Sequence, residues 1–309
     1  MRVIFFGTPE FAVASLDALQ AEHTIELVVA QPDRQQGRGM KLASPAVVNR
    51  ARTRGLRILQ PPKIRNDDFL QELDALRPDV GVVVAYGKIL PERLLQIPRF
   101  GFLNVHGSLL PLYRGAAPVQ RAIEAGESET GVTIMRVDRE LDHGPMLEVV
   151  RTAIEKDERT PALAKRLSIL GAEALSRVLR ELEIGGVTEQ AQDHSLATYA
   201  SKIGREEGRV DWKLTARQIY NRFRAFDPWP GLFLESGTDG VIKLTDVHPV
   251  HLDQSAPPGV ISSTTATTVT LATGEGGLEI RSLQRSGKQP SSAADYVRLR
   301  RLKIGDRLE

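Results

Sequence analysis

The chain of 309 residues is long enough for two domains with a core each, and 41 Lys and Arg against 39 Asp and Glu leave a formal charge of +2. That balance excludes a bulk polycation that coats nucleic acid or membrane, and 41% hydrophobic residues exclude wholesale disorder. With no Cys there is no disulfide, no thiolate metal site and no cysteine nucleophile. The apolar run near the start, Val3-Ile4-Phe5-Phe6, is too short for a secretory or membrane-spanning segment, so a cytoplasmic protein is expected.

Residues 2–6 read as a first strand closed by Gly7. Thr8 is placed to cap a helix whose first residue is Pro9, with Phe11, Val13, Leu16 and Leu19 along one side. Residues 25–30 form a second buried run, Ser44-Pro45 opens a helix that stops at Gly55, and 80–85 is continuous and β-branched, as a strand covered on both faces should be. Further strands fall at 103–105 and 132–137. Strands alternating with helices predict an α/β fold: a Rossmann-like, doubly wound, mostly parallel sheet. Thr160-Pro161 starts a long helix with Leu163, Leu167, Leu170, Ala174, Val178 and Leu182 at helical spacing. The texture then changes. A helix over 216–226 gives way to the turn Asp227-Pro228-Trp229-Pro230-Gly231 and short β runs at 232–235, 241–247, 260–262, 267–271 and 278–283, the pattern of a small β-barrel or sandwich. The expected organisation is an α/β domain over 1–188, a linker over 189–204 and a β domain over 205–309.

The neutral balance hides local asymmetry. Between Arg34 and Arg65 there are nine basic residues and no acid, and between Arg281 and Lys303 seven basic residues against Asp295 alone. A docked polyanion explains both segments; a solvated helix face and a basic tail explain them too.

Gly7-Thr8-Pro9-Glu10-Phe11-Ala12 sits where a dinucleotide fingerprint would, but it lacks G-x-G-x-x-G, and Glu10 puts a carboxylate where a pyrophosphate would take the helix N–H groups. The dense segment is 102–111. Asn104 and His106, two apart near a strand end, leave the same face, and an amide beside an imidazole can donate to a developing oxyanion while the imidazole handles a proton. Asp142, in a turn after a later strand, presents a carboxylate able to orient His106. Ser108 is a possible nucleophile, although it lies outside any G-x-S-x-G elbow. Group transfer between two bound substrates fits these residues; an ordinary satisfied turn network uses the same spacing. The six His show no metal-ligand spacing, so no metal is expected.

Taken together, Asn104-Val105-His106-Gly107-Ser108-Leu109-Leu110-Pro111, Tyr113-Arg114-Gly115-Ala116-Ala117-Pro118, Glu129-Thr130-Gly131-Val132-Thr133-Ile134-Met135 and Leu141-Asp142-His143-Gly144 resemble the 10-formyltetrahydrofolate-dependent formyltransferases. Gln31-Pro32-Asp33-Arg34-Gln35-Gln36-Gly37-Arg38-Gly39 with Lys41, and the C-terminal Asp211-Trp212, Arg222 to Phe226 and Pro228-Trp229-Pro230-Gly231, are similar to the members that act on methionylated initiator tRNA. The resemblance covers essentially the whole chain. It implies transfer of a formyl group from 10-formyltetrahydrofolate to the α-amine of methionyl initiator tRNA, with Asn104, His106 and Asp142 as the catalytic set and Ser108, Leu109, Leu110 and Pro111 as the folate loop. It further implies an OB-like C-terminal barrel that binds tRNA, with Arg298, Arg300, Arg301 and Lys303 as phosphate contacts. Residues 31–44 are implied to meet the acceptor stem through Arg34, Arg38 and Lys41. They span about fourteen residues where such loops usually run about 2–6, so an extended loop is expected. Neither a metal nor a covalent enzyme intermediate is required, and a monomer is expected. His143 replaces the family's small polar residue and reads as a partly exposed turn histidine.

Overall fold

In the computed structural model, which describes residues 1–36, 41–253 and 256–308, the apolar runs of the N-terminal half pair into one seven-stranded sheet. The chain divides into two units. The first holds Met1–Val119, Glu129–Ile154 and Ala162–Ser201; the second holds Gln120–Ser128, Glu155–Pro161 and Lys202–Glu309.

The first unit opens with β1 (Arg2–Gly7), α1 (Val13–Glu22) and β2 (Thr24–Val29). Next come β3 (Arg34–Gln36), β4 (Lys41–Ala43), α2 (Ala46–Thr53), β5 (Ile58–Leu59) and α3 (Asp67–Ala75). β6 (Val80–Val84), α4 (Glu92–Leu95), β7 (Phe102–His106), β8 (Arg114–Gly115), β9 (Glu129–Arg136), β10 (Met146–Ala153) and nearly all of α6 (Thr160–Glu183) complete it; α5 (Pro118–Ala125), between β8 and β9 in the chain, belongs mostly to the second unit. The sheet order is β10-β9-β7-β6-β1-β2-β5. The five strands from β7 to β5 run parallel, and β9 and β10 are antiparallel additions at one edge. This is the Rossmann-like, mostly parallel arrangement that alternating elements demand. Strand order reverses at β1, between β2 and β6, which places a topological switch point at the carboxyl ends of β1 and β6.

One face of the sheet buries Ile4, Phe6, Leu27, Val29, Tyr86, Leu94 and Phe102 in a common cluster. The Phe6 ring meets Tyr86 and Phe102 edge-on at 5.2 and 5.5 Å. Gly81 in β6 is required by this packing, because a Cβ there would lie 2.3 Å from the Phe102 ring.

Three expectations change. Thr8 does not cap a helix: Pro9 precedes a short 3₁₀ turn at Glu10–Ala12, while the Thr8 hydroxyl donates to the Tyr86 carbonyl at 3.1 Å across the switch point. The stretch after β2 is not an extended loop but an antiparallel hairpin, with Arg34 opposite Ala43 and Gln36 opposite Lys41. Most of 189–204 is not a free tether. Gln190 bridges Met146 through two bonds of 2.8 Å, and β11 (Tyr199–Ala200) pairs with β8, so residues 190–200 are strapped onto the first unit.

The second unit contains α7 (Ala216–Ala225), β12 (Leu232–Ser236), β13 (Gly240–Val250), β14 (Ile261–Thr264), β15 (Val269–Ala272), β16 (Gly277–Arg285), β17 (Ser291–Ser292) and α8 (Ala293–Arg300). Its strands form one antiparallel sheet in the order β12-β13-β16-β15-β14, with β17 on β16. Thr215 and Gln218 cap α7 reciprocally at 3.1 and 2.9 Å, and the helix buries Ile219, Tyr220 and Phe223. Among the described residues no helix is long and apolar enough to cross a membrane.

Asp239, in the β12–β13 turn, ties this unit together. Its Oδ2 accepts from Tyr296 Oη at 2.9 Å and Arg300 Nε at 2.7 Å, and Arg285 lies 3.7 Å from Oδ1. The Arg300 hydrogen bond, helped by Tyr296, holds its carboxyl below the usual range. The depressed value means that the anion stabilises the fold above the unfolded pKa of about 4, and that this stabilisation disappears as pH falls through the lower folded value. Thermal unfolding of Asp239→Asn should therefore show a deficit against the parent at pH 7 that shrinks in an acid series; a deficit independent of pH would exclude the charge as its source.

Candidate active site

Strand period decides which way β7 presents its residues. A Cβ on Gly171 of α6 would lie 2.6 Å from Val105 Cγ1, so Val105 faces α6 and its neighbours Asn104 and His106 emerge on the other face. There they meet Asp142, contributed by the β9–β10 connection. Asn104 Nδ2 donates to Asp142 Oδ1 at 3.2 Å, the Gly115 N–H donates to Oδ2 at 2.8 Å, and His106 Nδ1 stands 3.6 Å from Oδ2. On its other side the His106 Nε2–H donates to the Tyr113 carbonyl at 3.0 Å. The imidazole is 5% exposed, so solvent does not compete for these contacts. Asp142 itself holds a left-handed φ of 49°, a conformation that Asp tolerates better than most residues. Residues far apart in sequence thus converge on one carboxylate.

The adjoining loop is built around Thr133, which is fully buried on β9. Its hydroxyl donates to the Ser108 carbonyl at 2.8 Å and accepts from the Leu110 N–H at 3.2 Å. Ser108 is also fully buried and donates to the Leu112 carbonyl at 2.7 Å. Leu110 packs with Met135 and Met146, whereas Leu109 and Pro111 are half-buried. Gly131 leaves room for this loop and for β10, since a Cβ there would lie 2.4 Å from Leu109 Cδ2 and 2.1 Å from the Val150 carbonyl oxygen. Of the four residues given to a folate loop, Ser108 and Leu110 therefore shape it and Leu109 and Pro111 present a surface.

At the switch point Gln31 Nε2 donates to the Tyr86 carbonyl at 3.2 Å. Burial pushes the Tyr86 phenol up to about 12. Asp33 fixes the base of the β3–β4 hairpin, accepting from Gln60 at 2.7 Å and Ser44 at 2.9 Å; these bonds hold its carboxyl below the usual range.

The basic residues divide. Arg34 is exposed on β3, Lys41 forms part of β4, and Arg38 lies outside the described residues. Elsewhere in the 34–65 stretch, Arg50 and Arg54 each lie 3.5 Å from Asp17, and Arg57 pairs with Glu72. The C-terminal tail is in fact α8 and its exit. Arg298 pairs with Asp295, Arg300 with Asp239, and Arg301 and Lys303 are exposed. Arg50, Arg54, Arg57 and Arg300 are thus matched by acids distant in sequence, while Arg298 pairs within its own helix. Among the described residues no group of His, Asp and Glu is arranged to hold a metal.

Three contributors were not singled out by the sequence. Tyr113 and Gly115 grip His106 and Asp142 through backbone groups, although Tyr113-Arg114-Gly115 was part of the motif that carried the resemblance. Gln192, buried in the strap, left no signal, because one side-chain amide in an aperiodic segment has no pattern to detect. His143, the departure from the family pattern, is half-buried, bonded to Asp138 at 2.7 Å and stacked on His194.

The model of the formyl transferase family matches residues 1–179, and that of the formyl transferase C-terminal domain matches residues 202–301. The methionyl-tRNA formyltransferase of Pseudomonas paraeruginosa is 44% identical over 97% of this chain and 96% of its own length. That of Pseudoalteromonas translucida is 43% identical over 96% and 93%. Among solved structures, an N-formyltransferase from Helicobacter canadensis, in complex with folinic acid and dTDP-3-aminofucose, superimposes with a TM-score of 0.68 at 16% identity, covering 90% of this chain and 98% of its own. That likeness establishes the fold, and the full-length relatives establish the rest: the chain belongs to the formyl transferase family, among the methionyl-tRNA formyltransferases.

Proposed function

We propose that this chain transfers a formyl group from N10 of 10-formyltetrahydrofolate to the α-amino group of methionine esterified to initiator tRNA, with Asn104, His106 and Asp142 at the reacting centre. The observation that carries this reading is the full-length similarity to two methionyl-tRNA formyltransferases; the site geometry supplies the chemistry. A neutral amine attacks the formyl carbon, a C–N bond forms, and the carbonyl oxygen gains negative charge. Collapse of the tetrahedral centre breaks the bond to N10, and one proton moves from the attacking nitrogen to the departing one. Asn104 spends one amide N–H on Asp142 and has a second for the developing oxyanion. His106 and Asp142, neighbours through Nδ1 and Oδ2, hold the proton in transit. Ser108 does not enter as a nucleophile, because its buried hydroxyl proton is committed to the Leu112 carbonyl. Leu109 and Pro111 offer the folate its contact surface.

On the RNA side, Arg34 on β3, Lys41 on β4 and Arg38, which falls between them in sequence, with Arg301 and Lys303 beyond α8, are the phosphate contacts. Arg298 and Arg300 contribute less, since both are already paired. Arg38→Ala should raise KM for the tRNA, leave KM for the folate unchanged, and lower the salt dependence of tRNA binding by about one counterion. An equal rise in both KM values would remove the hairpin from the RNA interface. The function itself is tested with labelled donor and initiator tRNA in two forms. Methionylated tRNA should take up label that is released as N-formylmethionine on deacylation, and uncharged tRNA should take up none. Release of the label only as formate would contradict the reading.

A further inference from the structure

Gln192 is 5% exposed, and its contacts converge on the turn that bears Asp142. Its Nε2 donates to the carbonyls of Asp142 at 2.9 Å and Gly144 at 2.7 Å. Its Oε1 accepts from Arg114 Nε at 3.2 Å and Nη2 at 2.7 Å. Arg114 is 3% exposed, and its Nη2 also lies 2.8 Å from His194 Nδ1. A guanidinium only donates, so His194 accepts there; its ring is stacked on His143 at 3.9 Å between centroids.

Burying a guanidinium against an amide and an imidazole is a poor source of stability. It is, however, an effective way to orient an amide. The planar fork captures Oε1, and the Gln192 NH2 is thereby turned toward the two carbonyls. The turn it holds has little freedom to settle by itself: Asp142 sits at a positive φ, and Gly144 passes so close to Arg136 that a Cβ would lie 2.2 Å from its carbonyl oxygen. The residues next to Arg114 act on the same centre, Tyr113 through its carbonyl on His106 and Gly115 through its N–H on Asp142. Gln190, paired with Met146, anchors the strap two residues earlier.

We infer that Arg114 and Gln192 are positioning residues for formyl transfer. Arg114 fixes the Gln192 amide, the amide fixes the backbone of the Asp142 turn, and the turn sets the approach of the Asp142 carboxylate to His106. This role rests on the function proposed above.

Gln192→Glu tests it, because the new side chain keeps an acceptor for Arg114 but sets a carboxylate oxygen against two carbonyls. On a parent that transfers formyl, kcat should fall by roughly tenfold or more and KM for each substrate should stay within about twofold, while the melting temperature falls only modestly and the variant stays folded at the assay temperature. In an Asp142→Asn background the same substitution should change kcat by less than about twofold, because the group it positions has lost its charge. If Gln192→Glu fails to fold, Arg114→Lys, which keeps the charge and loses the fork, carries the same expectations. Undiminished kcat, or an equal loss in both backgrounds, would overturn the positioning role alone. A parent that transfers no formyl would overturn the functional reading and this role with it.

Discussion

Asn104→Ala and His106→Ala are each expected to lower kcat for formyl transfer by roughly 10²–10³, with KM for the folate and the tRNA changed far less. The asymmetry follows from when the contacts are made. The formyl oxygen carries little charge in the bound substrate and much more in the tetrahedral centre, so a donor aimed at it acts chiefly on the transition state. The Asn104 amide donates to Asp142, and the carboxylate retains the Gly115 N–H when that amide is removed. Thermal unfolding of Asn104→Ala should therefore stay close to the parent's. His106→Ala releases the Tyr113 carbonyl, and a modest loss of stability should accompany its loss of rate. Near-normal kcat in either folded variant would remove that residue from the chemistry.

Phe102→Ala should do the reverse. Phe102 opens the strand that carries Asn104 and His106, yet its ring is 1% exposed, lies edge-on to Phe6 and covers Gly81. Truncation leaves a cavity that rigid strands on both sides cannot close. A cost of about 3–5 kcal/mol is expected, a fall in melting temperature of roughly 6–20 °C for a unit of this size. At low temperature, where the variant is folded, kcat should stay within a few-fold of the parent's, because Asn104 and His106 leave the sheet on backbone positions fixed by β6 and β9. A folded Phe102→Ala with kcat reduced a hundredfold would mean that core and site are not separable.

What the sequence disclosed and what it withheld follow from the range of the interactions. Buried runs such as 80–84 announce parallel strands because every residue is apolar, and the alternation around Val105 puts Asn104 and His106 on one face without reference to anything distant. Asp142 was legible as a turn carboxylate able to orient His106, but its bond to Asn104 was not, since their meeting depends on β9 returning antiparallel beside β7. The strap over 190–200 was illegible because two short bridges and one amide hold it, and none of these has a period. Thr8 looked like a cap since local pattern favours it, but a carbonyl across the switch point took its hydroxyl. Charge misled most. Counting along the chain made 34–65 purely basic and 281–303 nearly so, yet Asp17, Glu72 and Asp239 reach into them from elsewhere, so that among the described residues only part of each stretch, Arg34, Arg301 and Lys303 included, stays exposed outside these pairs. A polyanion site inferred from sequence counts is therefore narrower than the counts suggest.

The acceptor is what sets members of this fold apart, since formyl transferases that share it include a structure bound to an amino-sugar nucleotide. The most direct measurement offers limiting labelled 10-formyltetrahydrofolate to the parent chain with methionylated initiator tRNA and a nucleotide-linked amino sugar together in water, and follows where the label goes. The prediction is label on methionine, recovered as N-formylmethionine after deacylation, with a kcat/KM for the tRNA far above that for the sugar. Label carried chiefly by the amino sugar, or released as formate, would contradict it.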